Sequence, residues 1–95
     1  MKTIGIRRDC IIIRAVDLPS VRIHDDVIAV DDQAGLYFAM NPPAARIWEL
    51  IRQPVSVEAV CRELGKEFAM EGDVCLDDVM YFLAEMRDQG LVKVC

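Results

Sequence analysis

Residues 35–51, GLYFAMNPPAARIWELI, force a change of period in mid-chain. Leu36, Tyr37, Phe38, Ala39 and Met40 are mostly aromatic and apolar, suited to a pleated, half-buried strand. Asn41 then offers a side-chain carbonyl to the orphan N–H groups of a helix start. Pro42 falls at the first helical position, where its missing N–H costs nothing and its φ is already helical. Ala44, Ile47, Trp48 and Ile51 continue at helical spacing. A strand becomes a helix across one asparagine, which fixes the element order around it.

Upstream the signals are extended. Cys10, Ile11, Ile12 and Ile13 read as a β-branched strand running on to Val16, and Asp17-Leu18-Pro19-Ser20 breaks it. Val21 to His24 alternates apolar and polar and predicts a half-exposed strand, with Asp25-Asp26 as the turn. Residues 27–30 form a further strand, closed by residues 31–35. With residues 36–40 this gives an antiparallel meander of three short strands.

Downstream the first helix is predicted over residues 42–52, since Pro54 blocks continuation. Ser56 caps a second helix whose stripe is Val57, Val60, Cys61, Leu64 and Phe68, with Gly65 an early weak point. A third helix opens at Gly72-Asp73 and runs to about Gln89, where Gly90 provides a left-handed stop. Residues 91–94 form a short terminal strand or extended tail. The fold class is α+β and winged-helix-like: a three-stranded antiparallel sheet followed by three helices.

The third helix is broadly apolar. Cys75, Val79, Phe82 and Met86 make one stripe; Leu76, Met80 and Leu83 extend it round one flank to Arg87. A wide arc can serve a core and a second contact at once. A helix wedged between a sheet and two helices also needs a wide stripe, and periodicity alone favours that plainer reading.

Catalytic constellations are missing. Nucleophilic catalysis needs a Ser or Cys beside a base, and the single histidine, His24, sits in an expected strand with nothing to orient it. The adjacent pairs Asp25-Asp26, Asp31-Asp32 and Asp77-Asp78 diverge in a strand or helix and suit turns and solvated faces rather than an acid/base dyad. Four scattered cysteines (Cys10, Cys61, Cys75, Cys95) form no CxxC pair, so no metal or other cofactor is expected. Residues 1–6 lack a sustained apolar stretch and no run approaches a membrane span, which places the chain in a reducing cytoplasm with free thiols. Cys61 and Cys75 fall at apolar helical positions and are expected to pack.

Three helices and a terminal strand resemble a winged helix-turn-helix, with the third helix as the reading helix. Here that helix carries Glu71, Asp73, Asp77, Asp78, Glu85 and Asp88 against one Arg87, and the net charge is -5. Phosphates would repel it, so a nucleic-acid partner is excluded and an acidic winged-helix regulator is the weaker alternative. An edge strand can instead accept an extended peptide as an added strand, with pockets on a neighbouring helix selecting its side chains.

The run GLYFAMNPPAARIWELI, then QPVSVEAV, then DDVMYFLAEMRDQGLV resembles the PqqD-like family, the recognition elements of ribosomally made, post-translationally modified peptides. The resemblance spans residues 21–94. Its markers are Gly35, Tyr37, Phe38, Met40 and Asn41, then residues 47–51, then Asp78, Val79, Phe82, Leu83, Gly90, Leu91 and Val92. The Tyr-Phe strand end and the first-helix run look most like stand-alone domains of lasso-peptide pathways. The resemblance implies a domain over residues 19–95 that binds a precursor's leader peptide as a fourth strand beside the third helix. It implies delivery to a leader peptidase and a cyclase, or to another modifying enzyme; the precursor of pyrroloquinoline quinone is the alternative cargo. Carried onto this chain, the strand of Leu36, Tyr37, Phe38, Ala39 and Met40 pairs with the leader. Leu76, Met80, Leu83 and Arg87 flank it, and Asp77 or Asp78 meets a basic leader residue. Trp48, Val60, Leu64, Phe82 and Met86 are assigned to the core.

Residues 1–18 exceed what a compact family member needs. The strand-like residues 10–16 have three open roles: extending the sheet, exchanging with a neighbouring molecule to give a strand-swapped dimer rather than a monomer, or lying along the leader's own edge.

Overall fold

The computed structural model describes residues 5–68 and 72–95, with side chains from Cys75 onward in the second stretch. Glu71, counted above among the acidic residues of the third helix, and residues 1–4 lie outside the described residues. The elements are β1 (Ile11–Arg14), β2 (Ser20–Ile23), β3 (Asp26–Asp31), β4 (Leu36–Met40), α1 (Pro42–Leu50), β5 (Val55–Ser56), α2 (Val57–Phe68), α3 (Gly72–Asp88) and β6 (Val92–Val94).

The expected meander is present as an antiparallel sheet in the order β2-β3-β4. Its first turn is displaced from the expected place. Ile23 pairs with Asp26, so His24 leaves the strand to form a two-residue turn with Asp25, and Asp26 opens β3. His24 takes φ 57, a conformation unfavourable for most side chains but tolerated better by His. In the second turn the Asp31 carboxylate accepts from the Ala34 N–H and Gly35 takes φ 69.

A second antiparallel sheet, β5-β1-β6, was only partly visible in the sequence. β1 is its central strand, with Ile12 opposite Val55 on one side and Val94 on the other. Residues 10–14 therefore do not lie along the edge of β4, which removes the third role considered for them. They also satisfy helix ends that would otherwise be orphaned. The Ile51 carbonyl at the end of α1 accepts from the Arg14 N–H. The Val57 and Glu58 N–H groups at the start of α2 donate to the Cys10 and Arg8 carbonyls. The Arg14 guanidinium donates to the Trp48 carbonyl (2.8 Å from Nε), lies 4.1 Å from the Trp48 ring centroid and pairs with Asp17.

The helix signals hold with small shifts. Asn41 Oδ1 accepts from the Ala44 N–H at 3.0 Å, and Ser56 Oγ from the Ala59 N–H at 3.0 Å. α1 ends at Leu50, capped by Ile51, shorter than expected. α2 runs through Gly65 to Phe68, because the stripe of Val57, Val60 and Leu64 is buried and outweighs one glycine. α3 ends in a Schellman motif: Leu91 N–H donates to the Met86 carbonyl and Gly90 N–H to that of Arg87, with Gly90 at φ 78. Leu91 and Met86 are both buried, supplying the apolar contact that accompanies such a stop.

One core joins these parts: Ile12, Val27, Ala29, Met40, Ile47, Trp48, Ile51, Val57, Val60, Leu64, Cys75, Val79, Leu83 and Leu91 are among its members. All four cysteines are free thiols. No helix among the described residues is long and apolar enough to cross a membrane.

Candidate functional site

The meander ends in an open edge, and hydrogen bonds elsewhere determine which of its groups are unpaired. β4 lies at the end of the sheet order. The Val30 N–H donates to the Pro19 carbonyl, so Val30 points its backbone groups toward β2. Backbone groups alternate sides along a strand. Val27, Ala29 and Asp31 therefore face β4 and bond to their partners Met40, Phe38 and Leu36. The partners of Ile28 and Val30, Ala39 and Tyr37, are left with N–H and C=O directed to the free edge. Two residues out of five thus carry the open ladder.

Side chains obey the other alternation. Met40 is buried and Phe38 packs partly against the core, whereas Tyr37, 73% exposed, and Ala39 point outward. Where β4 passes into α1, a cavity of about 370 Å³ opens between α1, α2 and α3. Asn41, Pro43, Ala44, Ile47, Leu64, Asp78, Val79 and Phe82 line it. The walls are mainly apolar, and Asp78 puts an exposed carboxylate at the rim.

The helix flank is the main correction to the sequence reading. Leu83 is 0% exposed and offers a ligand no surface. Leu76 and Met80 are half-buried against the core on the same flank as Leu83. Arg87 lies beside Gly5, Val94 and Cys95, at the second sheet rather than at the cavity. Phe82, assigned to the core from its spacing, is only half-buried and lines the cavity. Asp78, Phe82, Glu85 and Gln89 follow one another at helical spacing on one flank of α3, and Asp78 and Phe82 on that flank line the cavity that opens at Asn41. Asp77 is exposed and does not line the cavity. Trp48, Val60, Leu64 and Met86 are buried as expected, with Leu64 also forming cavity wall.

Sequence reasoning missed Pro43, Ala44 and Ile47 as cavity residues. The signal was available in part: a helix that starts at an edge strand must bring its first turn to the end of that edge. Nearby, Arg46 holds Glu67 through Nε at 2.9 Å and Glu49 at 3.4 Å, and the Glu67 bond raises its pKa. The Arg46–Glu67 bond ties α1 to α2. Among the described residues no group of His, Cys, Asp and Glu is placed to hold a metal ion.

The structure is a small α+β domain whose meander has an open antiparallel edge at β4 and an apolar cavity where that strand passes into α1. The family model for coenzyme PQQ synthesis protein D (PqqD) matches residues 26–92, and the chain belongs to that family. A solved structure described as "TbiB1 in Complex with the TbiA(beta) Leader Peptide" has the same fold, with a TM-score of 0.68 and 24% identity. The match covers 80% of this chain and 88% of that one. No curated protein matches.

Proposed function

We propose that this chain binds the leader peptide of a ribosomally made precursor as a fourth strand on β4, and that it is a binding domain rather than an enzyme. The open ladder of Tyr37 and Ala39 beside the cavity carries this reading. Backbone pairing supplies affinity without demanding a leader sequence, and the cavity selects one apolar side chain. Asp78 at its rim favours a neighbouring basic residue. Family membership supports a peptide ligand, and the TbiB1 neighbour is itself in complex with a leader peptide. The finer reading is a lasso-peptide leader, delivered to a leader peptidase and a cyclase in the cytoplasm; the pyrroloquinoline quinone precursor is the second reading, favoured by the family model.

The test is a calorimetric titration with the leader of the precursor encoded beside this chain, using wild type, Phe82→Asp and Met80→Asp in parallel. Saturable binding lost in Phe82→Asp and kept in Met80→Asp, with circular dichroism unchanged, is expected. The reverse pattern would move the site to the opposite flank of α3. Absence of binding by wild type would refute the reading.

A further inference from the structure

At the β2 end of the meander a hollow of about 350 Å³ opens between β2, the end of β1 and the last turn of α1. Arg14, Arg22 and Arg52 line it, with Asp17 and Glu49 as its carboxylates. Three guanidinium groups against two carboxylates leave it cationic, in a chain whose net charge is -5. Each arginine arrives by its own route. Alternation along β2 sends Val21 and Ile23 to one face and Arg22 to the other, opposite buried Val27. Arg14 ends β1, and Arg52 follows the Ile51 cap of α1.

A helix C-terminus attracts cations without any ligand, and Arg14 meets that need. It donates to the Trp48 carbonyl through Nε and Nη2 and to Asp17 through Nη1. Arg22 and Arg52 are in excess of it: among the described residues neither side chain makes a hydrogen bond or an ion pair. Glu49 is drawn instead to Arg46, 3.4 Å away and outside the hollow. Burial, and then the charge of Arg52, lower the Arg14 pKa, so cation stands near cation around a side chain only 7% exposed. A guanidinium has five N–H groups; Arg14 uses three, and Arg22 and Arg52 keep theirs. Ser20 adds a hydroxyl. Donors from three chain segments around one hollow suit an oxyanion with three or four oxygens better than a planar carboxylate, which a single fork satisfies.

We propose that this hollow binds a phosphate group, as the free ion or as a small phosphomonoester, held by Arg22 and Arg52 over the fixed Arg14. The anion offsets the mutual repulsion of the three cations and joins β2 to the end of α1. The site is separate from the one at β4, because β2 and β4 are opposite edges of one sheet.

The experiment titrates the full chain, in chloride buffer of constant ionic strength, with inorganic phosphate, glycerol phosphate and acetate. Thermal melting and phosphorus NMR line broadening report binding. Wild type is expected to bind inorganic phosphate saturably and to melt higher in its presence, with acetate producing less than a tenth of the affinity. Arg22→Gln/Arg52→Gln, both exposed positions, should lose at least ten-fold in phosphate affinity. Arg8→Gln/Arg62→Gln removes the same charge at exposed positions outside the hollow and should bind within about two-fold of wild type. Tighter binding of glycerol phosphate would assign the site to an ester, and equal or weaker binding to the free ion. No saturable phosphate binding, acetate binding as tight as phosphate, or equal losses in the two double variants would each overturn the proposal. Leader affinity of Arg22→Gln/Arg52→Gln is expected to match wild type, so this site and the leader site stand or fall separately.

Discussion

Ala39→Pro separates peptide capture at β4 from the integrity of the sheet. The Ala39 N–H is directed to the free edge, so proline there removes no ladder bond, and edge strands accept proline on the solvent side. Its side chain is exposed, so the ring meets no core atom. Stability should change by less than about 1 kcal/mol. A leader strand arriving at this edge loses one backbone bond, worth about 0.5–1.5 kcal/mol net, and buries an unsatisfied carbonyl that costs about 1–3 kcal/mol. Together these give about 2–4 kcal/mol, or about 30- to 1000-fold in Kd. Phe38→Pro is the counterpart: its N–H faces Ala29, so it should damage the fold itself. The assay is calorimetric titration with the leader, alongside urea melts of both variants. If folded Ala39→Pro bound the leader as wild type does, strand addition at β4 would be refuted.

The remaining predictions concern the scaffold. Arg14→Met should destabilise by about 2–3 kcal/mol, read by urea melts: the guanidinium side chain is only 7% exposed, and its bonds to the Trp48 carbonyl and its ring contact are both lost. Asp17→Ala should cost less than about 1 kcal/mol, because that partner is exposed. Burial, and then the neighbouring Cys75, push the Cys61 thiol up to about 12. The neutral thiol is therefore the native form: its contribution to stability is complete below about pH 9 and is lost as pH climbs towards 12. Timed iodoacetamide labelling at pH 8.5 should modify exposed Cys95 well before Cys61 or Cys75. His24→Gly should stabilise by about 0.5–1 kcal/mol in a thermal melt, since relief of the positive φ exceeds the added chain entropy.

Local chemistry made part of this molecule readable. Asn41, Ser56 and Gly90 announce helix ends through hydrogen bonds within three or four residues, and each does so in the structure. The second sheet lacked such a signal. β5 has only two residues, and Ile12 finds its partners Val55 and Val94 far along the chain. The turn at His24 was misplaced because apolar-polar alternation continues through it, whereas the pairing of Ile23 with Asp26 needs a two-residue loop. The site was half legible: the edge strand followed from its composition and from family resemblance. The helix flank did not, because an apolar arc covering Leu76, Met80, Phe82 and Leu83 looks the same from either side in sequence. Only packing against α2 and β6 shows that Leu83 is sealed and Phe82 is not.

The open edge of β4 also makes the empty domain vulnerable. Five residues without a charge or a proline, with unpaired amides at Tyr37 and Ala39, template any extended chain that arrives, including partly unfolded copies of the protein itself. The usual safeguards of an edge, a lysine, a proline or a bulge, would also exclude the added strand proposed above. Occupancy then becomes the safeguard. If a leader adds to β4 as proposed, a peptide at a hundred times its Kd adds about 2.7 kcal/mol to the folded state and covers the open edge. The domain is most prone to aggregate when it is made without its cargo, and co-production with the peptide should raise its soluble yield.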